Sequence, residues 1–208
     1  MSDFEKSWKG KGGIGSKLRE TLRPETQLRA KINKAVYAIN RQDRRLNTTL
    51  KNLRKKDRDY HRRTIDALRT HDRDRAMNYA NKLAAIRETQ KTINQAKLAM
   101  EQVSSRLGTV KDVGDLAATL APVMPVIKSI GGTLSTVIPR ADEEFDAIAD
   151  LLGSTLADAT RVSGISLDFT AANEEAEEIL RQAEIQVETE MKEKLPAVPD
   201  TEEEGMRL

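Results

Sequence analysis

Ten cationic side chains fall within 23 positions: Arg41, Arg44, Arg45, Lys51, Arg54, Lys55, Lys56, Arg58, Arg62 and Arg63. Guanidinium and ammonium groups at this density attract phosphate, because each basic residue near an anionic lipid surface contributes roughly 1 kcal/mol. The phosphates of nucleic acid would answer the same charges, and a plainly solvated helix face is the simplest alternative. Near the start, Phe4 and Trp8 stand four apart and are followed by Lys9 and Lys11. A short amphipathic anchor would insert such aromatics beside basic residues; a flexible tail with incidental aromatics is the plain alternative. The chain's only Trp lies there, and the basic run has a single aromatic side chain, Tyr60, too few to make a series of stacking platforms for bases. Both points favour lipid over nucleic acid as the anionic partner.

Catalytic chemistry finds little support. There is no Cys, hence no thiolate nucleophile and no Cys-held metal or cluster. The two His are His61, beside Tyr60 in a charged stretch, and His71; neither has a nucleophile or metal-ligand partner at a workable spacing. Gly10 to Lys17 superficially resembles a phosphate-binding loop but has the wrong spacing and no preceding strand. The acidic pairs Glu143-Glu144 and Glu174-Glu175 lack calcium-loop spacing. The expectation is a non-enzyme without cofactor or metal.

The elements that must position the basic residues are helical. Between Glu25 and Leu107 there is neither Gly nor Pro, and Pro24 is well placed at a helix start. Apolar residues recur every seventh position at Ile32, Ile39, Leu46, Leu53, Tyr60 and Ala67, a narrow coiled-coil-like seam. Arg69 to Asp74 interrupts it, with Asp72 or Asp74 as a candidate helix cap. A second seam follows at Tyr79, Ile86, Ile93, Met100 and Leu107, supported by Met77, Leu83, Ala96 and Val103. Two seams around a polar break predict an antiparallel hairpin with arms roughly 50–65 Å long at 1.5 Å per residue; one straight rod is the runner-up. Beyond Gly108 come shorter apolar patterns, disturbed by Pro122 and Pro125, then a helix with Phe145, Ile148, Ala149, Leu152 and Leu156 on one face. A loop at Gly164 and Ser166 precedes an acidic amphipathic helix from Ala171 to about Lys194. The fold class expected is all-α and elongated. Its divisions are an N-terminal membrane-interacting segment (1–24), a basic hairpin (25–111), short helices and linker (112–170), and an acidic helix with a tail (171–208).

The first thirty residues have no apolar core of the signal-peptide kind, and the most apolar stretch, Leu116 to Ile138, is interrupted by two Pro, Lys128 and Gly131-Gly132. A cytoplasmic chain meeting a membrane only at its surface is therefore expected. The net charge of +2 conceals a division. Residues 1–111 hold 28 Lys+Arg and 12 Asp+Glu, whereas 112–208 hold 7 and 21. An acidic half of −14 has an intramolecular target in a basic half of +16, and their attraction could hold a closed form that competitors open.

The segment HDRDRAMNYANKLAAIRETQKTINQAKLAMEQVSSRLGTV, through Ala76, Tyr79, Ala80, Leu98, Val103, Arg106 and Leu107, resembles the hairpin turn and second helix of the ESCRT-III family. MPVIKSIGGTL, followed by a Phe-containing acidic helix, is similar too, as is the basic-to-acidic order. The family includes the eukaryotic charged multivesicular body proteins and the archaeal Cdv cell-division proteins; the short tail leaves no room for a winged-helix extension and resembles a shorter archaeal paralogue. The resemblance implies subunits that open, polymerise with copies and paralogues on anionic membrane, and constrict it in cell division or vesicle formation. It implies that the helix carrying Phe145, Ile148 and Leu152 packs on a neighbouring hairpin. It further implies that Leu195, Pro196, Val198 and Pro199 form a motif for an AAA+ ATPase with a microtubule-interacting-and-trafficking domain. A nucleic-acid-bundling coiled coil and a BAR-like membrane adaptor are the alternatives.

Overall fold

The computed structural model describes residues 24–110, 113–164 and 166–195, and among these every regular element is a helix. Helix α1 spans Pro24–Arg69 and α2 spans Arg73–Thr109. They form the antiparallel hairpin. Three shorter helices follow: α3 (Val113–Ser135), α4 (Ala141–Ser163) and α5 (Phe169–Lys194).

The hairpin turn is made without glycine. His71 takes a left-handed conformation at φ 57°, and Asp72 accepts a hydrogen bond from the backbone N–H of Arg75 as the cap of α2. The first seam buries Ile32, Ile39, Leu46 and Ala67, together with Leu28, Ala35 and Leu50. From the second seam Ile93, Met100 and Leu107 are buried, joined by Leu83, Ala96 and Val103. Met77, expected to support that seam, is half exposed (50%). It sits in the first turns after the bend, where no third helix covers it. The distal part of the hairpin replaces apolar seam contacts with a polar one: Asp57 and Arg87 form an ion pair of 2.9 Å with side chains only 8% and 12% exposed. Farther towards the base, Lys97 donates to Asn47 Oδ1 (2.6 Å) and lies 3.6 Å from Asp43.

Helices α3, α4 and α5 fold against the open end of the hairpin. α3 is the centre of this arrangement: Leu116, Ala117, Leu120, Val123, Val126, Ile127, Ile130 and Leu134 are all buried. The sequence pattern suggested a break at Pro122 and Pro125, but α3 runs through both. Burial offsets the two lost backbone hydrogen bonds, since each Leu, Ile or Val fully removed from water contributes about 1.5–3 kcal/mol. The same helix is long and apolar enough to cross a membrane by length and composition, yet its apolar side chains form the core of the molecule. Between α3 and α4 the backbones approach closely at Gly131, where a Cβ would fall 2.8 Å from that of Phe145. α4 ends on Gly164, left-handed at φ 67°, whose N–H bonds the Thr160 carbonyl. After the loop, Asp168 caps α5 through the N–H groups of Thr170 and Ala171.

Candidate functional site: a charged clasp between hairpin and acidic helices

The expected basic residues divide into three groups on α1. Arg44, Lys51, Lys55 and Arg62, spaced so that they share one side of a helix at 100° per residue, lie on the face away from Ile39, Leu46 and Leu50. Arg41 and Lys56 flank this stripe and are exposed. Among the described residues Arg41, Arg44, Lys51, Lys55 and Lys56 form no ion pair. Arg62 and Arg63 instead reach back to Asp59 (3.2 and 2.9 Å), and the Arg63 guanidinium lies over the Tyr60 and Tyr79 rings. Arg54 and Arg58 turn towards α5 and border a groove between it and the hairpin.

Arg45, expected among the membrane-facing cations, belongs in this conformation to a different arrangement. It donates to both carboxylate oxygens of Glu144 on α4. Fourteen residues earlier on α1, Lys31 pairs at 2.6 Å with Asp158, fourteen residues later on α4. Fourteen residues make about four turns. Both pairs therefore emerge on one face of each helix, and α4 runs antiparallel to α1. The second arm repeats the pattern: Lys91 pairs with Glu188 (3.1 Å) and Arg106 with Glu175, so α5 runs antiparallel to α2. The acidic half thus contacts the basic half through four cross-element ion pairs, two per arm.

The carboxylates register these contacts. Hydrogen bonding from Arg45 holds the Glu144 carboxyl below its ordinary range against a partial desolvation effect. Lys31 does the same to Asp158, and Lys91 to Glu188. All four pairs are substantially exposed, so each contributes modestly to stability. The apolar side chains buried behind them contribute more. Phe145 (1% exposed), Ile148 and Leu152 lie in the molecule's own core, so in this conformation they are occupied within the chain and are not presented to a neighbouring subunit.

The remaining expected residues lie at or beyond the ends of the described chain. Leu195 is the C-cap of α5, and its N–H bonds the Met191 carbonyl. Pro196, Val198 and Pro199, like Phe4, Trp8, Lys9 and Lys11, fall outside the described residues. His71 is exposed at the turn and His61 half-buried beside the α5 groove. No group of three or more acidic or His side chains that could hold a metal occurs among the described residues.

A long helical hairpin with a central apolar helix and two acidic helices clasped to its arms defines an all-α protein of the ESCRT-III type. No protein-family model and no solved structure matches the sequence. Among curated proteins, the chain is 32% identical over 197 residues to Cell division protein B1 of Sulfolobus acidocaldarius, covering 95% of this chain and 90% of that relative. It is 27% identical over 187 residues to Cell division protein B of the same organism, covering 88% of this chain and 72% of that one. The chain belongs to the CdvB family of archaeal ESCRT-III proteins.

Proposed function

We propose that this protein is a structural subunit of a cell-division filament that assembles on anionic membrane, and that the conformation described is its closed, unassembled state. The observation that carries the reading is the clasp: the groups that would meet an anionic surface or a neighbouring subunit are partly engaged by the chain's own acids. Family membership supports the division role through relatives named cell division proteins. The stripe Arg44, Lys51, Lys55 and Arg62 supplies a membrane face, with Phe4, Trp8, Lys9 and Lys11 as an added anchor. Release of α4 from both α1 and α3 would free Arg45 and expose Phe145, Ile148 and Leu152 for a neighbouring hairpin. The chain would then act at the cytoplasmic membrane, as a homopolymer or with paralogues. An AAA+ ATPase would withdraw subunits by binding Leu195, Pro196, Val198 and Pro199 through its helical domain, where two prolines pre-order an extended peptide. The four divisions at 24, 111 and 170 follow these roles, and none of them requires catalysis.

The test is negative-stain imaging and vesicle co-sedimentation of the full chain with anionic and neutral liposomes. Ordered polymers favoured by anionic lipid are expected, and more of them when Glu144 and Glu188 are both replaced by Arg. A small, fixed oligomer under every condition would refute the reading. Tight binding to duplex DNA with indifference to lipid charge would replace it with the nucleic-acid alternative. Substituting Leu195 and Val198 by Asp should abolish ATPase binding and leave polymerisation intact.

A further inference from the structure

Between the two arms of the hairpin and the last turns of α5 lies a groove of about 720 Å³, within the range of sites that hold small molecules. Its two sides differ in chemistry. On α1 it is bordered by Arg54, Arg58 and His61; α5 lines it with Val187, Met191 and Leu195 beside the Glu190–Lys194 pair, and α2 adds Leu98 and Lys97. At its base is Gln90, a residue only 3% exposed whose amide Nε2 has no hydrogen-bond partner. A buried donor left unsatisfied costs about 1–3 kcal/mol, so such a group marks a place where an acceptor is wanted.

The acids around the groove are mostly engaged. Asp57 is held by Arg87; Glu190 is held below its ordinary carboxyl range by Lys194 (2.8 Å) first and more weakly by the charge of Arg54, so Arg58 is the less engaged of the two arginines, and Glu101 is exposed at the rim. Arg54 and Arg58 form no ion pair among the described residues. Donors on one wall, an unsatisfied donor at the base and the apolar Val187 and Met191 beside a mutually neutralised pair on the other wall together describe an anion of oxygens carried on an apolar body.

We infer that this groove binds an amphiphilic oxyanion, with its phosphate or carboxylate head at Arg54, Arg58 and the Gln90 amide and its apolar part against Val187 and Met191. Such a ligand touches the hairpin and α5 at once. It binds the clasped arrangement and not a chain with α5 detached, so it stabilises the former by mass action. The site is independent of the division reading, because it requires only the closed conformation and no membrane.

The experiment uses the full chain with decyl phosphate below its micelle concentration, read by calorimetry and by hydrogen exchange of the α5 amides. Saturable binding with slowed α5 exchange is expected, at least about tenfold tighter than binding of inorganic phosphate or decanol alone. Arg58→Gln and Val187→Trp should each weaken it about tenfold or more, and Gln90→Leu should do so without loss of helicity. Equal affinity for inorganic phosphate would overturn the apolar half of the inference, and equal affinity for decanol the anionic half. No binding at millimolar decyl phosphate overturns it entirely, as does binding that Arg58→Gln and Val187→Trp leave unchanged. Association with vesicles carrying the same headgroup, but not with the monomeric probe, would assign the charges to the bilayer and refute the groove.

Discussion

Gly131 and Gly132 are neighbours in sequence and opposites in consequence. A methyl group at Gly131 would press on Phe145, whereas one at Gly132 meets open space. Gly131→Ala should therefore destabilise the molecule by about 1–3 kcal/mol, and Gly132→Ala should stabilise it by about 0.5–1 kcal/mol as a better helix former. Chemical denaturation of the two variants checks the contrast. At the hairpin turn, Asp72→Ala removes the α2 cap and should cost about 1 kcal/mol. The sequence narrowed the cap to Asp72 or Asp74, and the structure gives the place to Asp72, with Asp74 in the first turn. The contrast between the two glycines was not legible in the sequence, because a Gly-Gly pair looks alike from either side until a facing helix is in place.

The seven-residue seams at Ile32 and Ile93 made the hairpin readable, since apolar side chains at that spacing can be buried only against another helix. The same reasoning failed at Met77, which lies beyond the covering helices. It also passed over Asp57, whose charge marked it as a surface residue although it is buried against Arg87. Replacing Asp57 by Ala leaves a guanidinium charge in a largely buried setting without its carboxylate, and should cost about 3–5 kcal/mol. The double variant Asp57→Leu with Arg87→Met should recover most of that loss in thermal denaturation, because an apolar pair fits the seam. Helix α3 exceeded its local signals for the opposite reason. Pro122 and Pro125 weaken the backbone locally, but the surrounding helices supply more burial than the prolines remove.

For the molecule as a whole, the split into a +16 and a −14 half was readable by counting, and it anticipated that the halves attract. Counting could not pick Lys31, Lys91 and Arg106 from their neighbours, because the partners are chosen by where α4 and α5 lie along the arms. The clasp carboxylates, Glu144, Asp158 and Glu188, have depressed pKa values in the folded state. Their contribution is therefore complete above the ordinary carboxylate range and lost as pH falls through and below it. Acidification from about pH 5 to about pH 3 should increase detachment of α4 and α5, and raised salt at neutral pH should do the same to a smaller extent. Hydrogen exchange along both helices, or energy transfer between dyes on α1 and α4, would measure it; exchange insensitive to both pH and salt would show that apolar packing alone holds them. The half of the hairpin beyond Leu50 and Ile93 contributes no buried residue to the main core; the last turns of α5 line it as far as His61, and the end from there to His71 extends about 15 Å farther at 1.5 Å per residue. Such an end is a lever: a rotation of ~10° where α5 grips the hairpin carries the His71 end through ~3 Å over that length, and a change in how α5 sits is carried to the far end.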